Sequence, residues 1–205
     1  MHIMVWRKLS LLVLLGFMLL GFAHGSIAQE NLTAAKNSQI SDIQAWQLLR
    51  DGKAVLLVRH ALAPGVGDPA NFNLGDCATQ RNLSAEGRAQ AKTWNTYLIK
   101  KGITRARTFS SQWCRTLDTA RGINMGTVEP LVALNSFYEG HFSEAELVPA
   151  ARKFVNELEL GLPIILVSHQ VNIQALSGIS PAQNEALIVM LPLNETPRVI
   201  ARVAP

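Results

Sequence analysis

Two short apolar runs in this chain each end at a histidine. Residues 54–58 (Ala-Val-Leu-Leu-Val) run into Arg59-His60, and residues 163–167 run into Ser168-His169. A third strand candidate, residues 106–110, is followed by Ser111-Gln112-Trp113-Cys114-Arg115. Ligands of an open α/β sheet bind at the carboxyl ends of its strands. His60, His169, Arg59 and Arg115 are therefore expected at one crevice. Each guanidinium can donate two parallel hydrogen bonds, a pattern suited to a dianionic phosphate. A neutral imidazole can attack phosphorus and form a phosphohistidine that water later resolves. Neighbouring positive charge favours the unprotonated imidazole and stabilises the transferring group. The scheme needs neither a metal nor another cofactor.

The elements that must position these groups can be read from the patterning. Continuous apolar runs bounded by polar residues suit strands buried on both faces. Ser41 with Asp42, Ile43, Trp46, Leu48 and Leu49 predicts a short capped helix, closed by Asp51-Gly52. Residues 62–82, rich in Pro, Gly, Asp and Asn, form a long loop directly after the first strand, a place that tends to carry function. Ser84 is expected to cap a helix to about residue 101, packing through Ala85, Ala89, Trp94, Leu98 and Ile99. Further helices are expected over residues 113–121, 143–158 (capped by Ser143) and 170–177. Further strands are expected over 128–134, 186–191 and 198–203, the last two as a hairpin at a sheet edge. Strands alternating with helices argue for an α/β domain with a largely parallel sheet.

The formal charge is +4 over 205 residues. Arg7 and Lys8 precede an almost wholly apolar stretch from Leu9 to Ala23, and Ser26-Ile27-Ala28 provides a small-x-small cleavage site. Residues 1–28 are thus expected to be a signal peptide, with 29–41 a flexible leader and 42–205 the folded domain. The apolar stretch is short of the roughly 20 residues that a spanning helix needs. The expected protein is exported, periplasmic in a Gram-negative source, with no stable membrane insertion after cleavage. Residues 1–28 carry two positive charges and no negative ones, leaving +2. That balance gives no reason to expect a nucleic-acid partner. Cys77 and Cys114 lack the close spacing of a zinc knuckle, and no metal site is expected. In an oxidising compartment they can form one disulfide, which would pin the long loop beside Arg115; the alternative is two reduced, buried thiols.

Four segments, in order, resemble the histidine phosphatase (phosphoglycerate-mutase-like) superfamily. Leu57-Val58-Arg59-His60-Ala61 resembles its Arg-His-Gly signature, with Ala61 in the Gly position. Leu83-Ser84-Ala85-Glu86-Gly87-Arg88-Ala89-Gln90-Ala91 resembles its helix start, and Ser111 to Ala120 spans its Arg and Thr-Ala segment. Val167-Ser168-His169 is similar to the second histidine. The resemblance implies a three-layer α/β/α sandwich with a largely parallel central sheet. It also implies a nucleophilic His60, a phosphate pocket of Arg59, Arg115 and His169, and a small phosphorylated substrate. Two departures concern the proton donor. Many relatives carry a glutamate where this chain has Ser136, and another branch carries an aspartate where it has Gln170. Glu139 is the catalytic acid expected instead, with Asp76 a second candidate. Asp76 and Arg81 belong to the loop expected to meet substrate. Asp68, Asn71 and Asn73 in that loop either select substrate or shape turns. The expected function is an exported phosphatase acting through phosphohistidine, and the alternative is a non-catalytic phosphate-binding relative.

Overall fold

The computed structural model describes residues 40–159 and 161–205. The signal peptide expected over 1–28, and the leader as far as residue 39, lie outside the described residues.

Helix α1 (Asp42–Arg50) begins with a reciprocal cap. The Ser41 hydroxyl accepts from Gln44 N–H, and the Gln44 side chain accepts from Ser41 N–H. Strand β1 (Ala54–Arg59) follows. The remaining elements are α2 (Ala85–Lys100), β2 (Arg107–Ser110), α3 (Cys114–Ile123), β3 (Val128–Pro130), α4 (Glu144–Asn156), β4 (Ile164–Ser168), α5 (Gln170–Ser177), β5 (Ala186–Met190) and β6 (Val199–Val203). The strands make one sheet in the order β3-β2-β4-β1-β5-β6. The first four are mutually parallel; β5 runs antiparallel to β1, and β6 antiparallel to β5.

Side chains alternate across the sheet. Val55, Leu57, Ile164 and Leu166 share one core with Val148, Ala151 and Val155 of α4 and with Ile173 and Leu176 of α5. Leu56, Val58, Ile165 and Val167 are buried at the alternating positions. On that opposite face α3 packs on β2 and β4, α2 packs on α3, and α1 packs on β1. The result is an α/β/α sandwich with a mostly parallel sheet.

Three expectations on local structure need correction. The strand expected over 128–134 stops at Pro130, and a 3-10 turn covers Val132–Leu134. Its neighbour β2 ends at Ser110, which is paired with Pro130, and the pairing stops after Leu131 N–H donates to Ser110 O. Helix α2 buries Gly87, Ala91, Trp94 and Leu98, while Ala85, Ala89 and Ile99 are exposed. The buried set follows helical spacing but is rotated, because Gly87 must lie against the backbone of Leu62. Ser143 stands at the cap position of α4 but its side chain makes no capping bond.

Candidate active site

The sheet fixes the two histidines. Arg59 ends β1 opposite Ser168 of β4, and His60 N–H donates to Ser168 O at 3.1 Å. His60 and His169 therefore leave adjacent parallel strands side by side, with ring centroids 5.6 Å apart. Both are buried. His60 Nδ1 lies 2.8 Å from the Ala61 carbonyl oxygen. A carbonyl can only accept, so Nδ1 carries the proton and Nε2 keeps its lone pair.

His60 is held neutral. Burial lowers its pKa to about 3, against an opposing effect of the Ala61 hydrogen bond and with help from Arg115, Arg81 and Arg59. His169 is pushed well below the usual imidazole range, first by burial and then by Arg115 and His60. Its Nε2 lies 2.9 Å from the Ser111 hydroxyl, which also contacts Asn135 Oδ1 at 3.3 Å.

Three guanidiniums line the cleft at this sheet edge: Arg59, Arg115 and Arg81. Arg59 Nη1 donates to Pro181 O at 2.8 Å. Arg115 projects from the first turn of α3 and is 3% exposed. The Nε–H groups of Arg59 and Arg115 are buried and have no hydrogen-bond partner among the described residues. Two such orphaned donors beside one cleft are costly unless an acceptor arrives.

The long loop after β1 has little apolar core, and polar contacts hold it. Arg81 donates from Nε to Gly67 O at 2.7 Å and from Nη1 to Ala63 O at 2.6 Å. Gln80 is buried; its side-chain nitrogen donates to Asn73 O and Leu74 O, and its oxygen accepts from Cys114 N–H. A disulfide joins Cys77 to Cys114, the residue before Arg115. Asp68 reaches the same point from the loop. Its carboxylate takes Arg115 Nη1 at 2.8 Å and Nη2 at 3.1 Å, and also accepts from Trp113 Nε1 and Arg81 N–H. Burial raises the Asp68 pKa, but the hydrogen bonds from Arg115, Arg81 and Trp113 outweigh it and hold the group below its ordinary value.

The cleft has a volume of about 330 Å³. Ser136 and Gln170, which stand where the family resemblance implies an acid, line it. Glu139 is the one carboxylate residue lining it among the described residues. Its oxygens accept from Asp68 N–H at 3.0 and 3.2 Å. Asp76 does not line the cleft; its carboxylate accepts from Ala78 N–H and caps the 3-10 turn Cys77–Thr79. The cleft thus gathers His60, His169, Arg59, Arg115, Arg81 and Glu139, and leaves Asp76 outside. Sequence reasoning left Asp68 open between turn shaping and substrate selection, and gave no role to Ser111 or Asn135. An Asp in a Gly- and Pro-rich loop satisfies a turn preference anyway, so composition does not single it out. Ser111 opens the segment that leads to Arg115, but that place in a motif carries no role of its own.

Residues 55–154 match the family model of the histidine phosphatase superfamily (branch 1). No curated protein matches the chain. Among solved structures, the fold is similar to the protein histidine phosphatase SixA complexed with tungstate, at 16% identity and a TM-score of 0.55, over 74% of this chain and 97% of that one. It is similar to the putative phosphohistidine phosphatase SixA from Agrobacterium tumefaciens at 18% identity and a TM-score of 0.51, over 75% and 98% of the two chains. It is also similar to a mycobacterial glucosyl-3-phosphoglycerate phosphatase with inorganic phosphate, at 16% identity and a TM-score of 0.53, over 72% and 95%. At these identities the likeness concerns the fold.

Proposed function

The chain belongs to the histidine phosphatase superfamily, and on that premise we propose that it is a metal-independent phosphatase working through a phosphohistidine on His60. The observation that carries this reading is the pair of buried Nε–H groups of Arg59 and Arg115, without partners among the described residues, beside a neutral His60. In the first step Nε2 of His60 attacks phosphorus in line with the leaving group. The N–P bond forms, the bond to the leaving group breaks, and the leaving atom takes a proton. Arg59, Arg115 and His169 hold the equatorial oxygens, and Arg81 adds positive charge at the same cleft. The Ser111 hydroxyl contacts His169 at Nε2, so Nδ1 is the ring nitrogen left to meet substrate. In the second step water attacks phosphorus, the N–P bond breaks and inorganic phosphate leaves.

Glu139 is the proton donor to the leaving group and then the base for water. Its present hydrogen bonds to the Asp68 amide occupy part of a carboxylate that has lone pairs to spare. A donor on a loop, with Ser136 and Gln170 at the positions the family uses, suits a small phosphorylated substrate that leaves readily. An acyl phosphate or a phosphohistidine has that property, and one similar fold is described as a protein histidine phosphatase.

The same substitutions at Ser136 and Gln170 favour a second reading, a binding protein that retains phosphate without turnover. One experiment separates the two. The protein is incubated with a labelled phosphodonor and quenched in alkali. An acid-labile phosphoprotein in wild type, absent in His60→Ala, is expected, and chelators should leave turnover unchanged. Turnover that survives His60→Ala would sink the mechanism. Tight phosphate binding with neither label nor turnover would establish the binding protein.

We further propose that residues 1–28 direct export. The exposed Cys77 in a disulfide fits an oxidising compartment. No helix among the described residues is long and apolar enough to cross a membrane.

A further inference from the structure

We propose that Asp68 is a positioning residue that sets which edge of Arg115 grips the phosphoryl group; the inference rests on the phosphate reading of the cleft. A guanidinium offers two edges of paired donors, one from Nη1 and Nη2 and one from Nε and Nη2. Asp68 takes the first edge with both oxygens, at 2.8 and 3.1 Å, and the Arg81 carbonyl also accepts from Nη1 at 3.2 Å. Nε is left buried without a partner among the described residues. The edge that remains, Nε with the outer N–H of Nη2, is the one free to meet two phosphoryl oxygens in the cleft that Arg115 lines.

Asp68 itself has little freedom. Trp113 Nε1 and Arg81 N–H bind its carboxylate, and its own N–H is held by Glu139. Its side chain and that of Arg115 are 2% and 4% exposed. Pairs this buried are little screened by water. The rigid carboxylate therefore fixes the guanidinium plane before substrate arrives, and the ordering cost falls on folding instead of on binding. Asp68 touches no reacting atom; it acts through Arg115.

A double-mutant cycle with inorganic phosphate as the probe tests this. Phosphate affinity and Tm are measured for wild type, Asp68→Asn, Arg115→Lys and the double variant. Lysine cannot present a paired edge, so there is nothing left for Asp68 to aim. Asp68→Asn should weaken phosphate binding about tenfold in the wild-type background and leave it unchanged in the Arg115→Lys background. A merely structural role predicts equal losses in both backgrounds, and that result overturns the inference, as does no loss at all. Should Asp68→Asn fail to fold, Asp68→Glu keeps the charge but displaces the guanidinium by one methylene. It should fold and bind phosphate more weakly; wild-type binding in that variant would likewise overturn the inference. Phosphohistidine labelling is read on the same samples. Coupled phosphate losses with no label in wild type sink the mechanism and leave the role of Asp68 intact. Label present with uncoupled losses does the reverse.

Discussion

A buried imidazole among guanidiniums stays neutral through the pH range where an exposed one would titrate. The His60 pKa falls from 6.5 to about 3, chiefly through burial. Activity should therefore show no loss of nucleophile near pH 6.5, and a pH profile of kcat/KM falling with that midpoint through His60 would contradict it. Stability carries the other half of the effect. Below 6.5 the unfolded chain takes up protons that folded His60 and His169 refuse. Stability is complete above pH 6.5 and is lost as the pH falls toward the folded pKa. Each histidine contributes a slope of up to about 1.4 kcal/mol per pH unit. Denaturant titrations between pH 4 and 7 should show a shallower slope in His60→Asn than in wild type. At this scale the sequence spoke clearly for His60, Arg59 and His169, because each is tied to a strand end. It did not speak for Asp68, whose partner Arg115 is 47 residues away in the chain and has a sequence neighbour, Asp118, of the same charge.

Between elements, two close approaches hold the loop and the helices to the strand ends. A Cβ on Gly87 would stand 2.1 Å from the Leu62 carbonyl oxygen. Ser84 caps the same helix by accepting from Gly87 N–H at 2.9 Å, so α2 cannot simply slide away. Gly87→Ala should cost about 1–3 kcal/mol through overpacking and also slow turnover, since Leu62 is two residues from His60. Unchanged melting with unchanged kcat would mean that the contact relaxes freely. The disulfide is the second tie. With a sequence separation of 37 between its cysteines, loop closure contributes about 4 kcal/mol in the chain-entropy view. Reduction, or Cys77→Ser, should lower the denaturation midpoint accordingly and weaken phosphate binding through the loss of loop order. A midpoint insensitive to reductant would count against it. The buried strands were legible as apolar runs. The end of β3 was not, because where a strand stops depends on how far its neighbour extends. The rotation of α2 was hidden for a similar reason: an alanine reads as apolar wherever it falls, and only the backbone of Leu62 selects the face.

For the whole molecule, the sequence disclosed the layer order through the alternation of strands and helices, and the structure adds the strand order. The chain puts β4 between β1 and β2, so motifs far apart in sequence meet at one edge. Export belongs to this scale as well. Deleting residues 1–28 should retain the protein in the cytosol, and the exported species should begin at Gln29; full-length protein recovered from the cytosol would sink the proposal.

The interval between His60 and His169 is inherited from the spacing of two hydrogen-bonded parallel strands, about 4.8 Å, because their predecessors Arg59 and Ser168 are paired in register. Asp68, Arg81 and Glu139, in contrast, come from connecting segments. The two histidines therefore belong to the scaffold, and the carboxylates and the guanidinium set around them belong to interchangeable parts. Lineages could recast the connectors and change diet while the ruler beneath them kept its graduation.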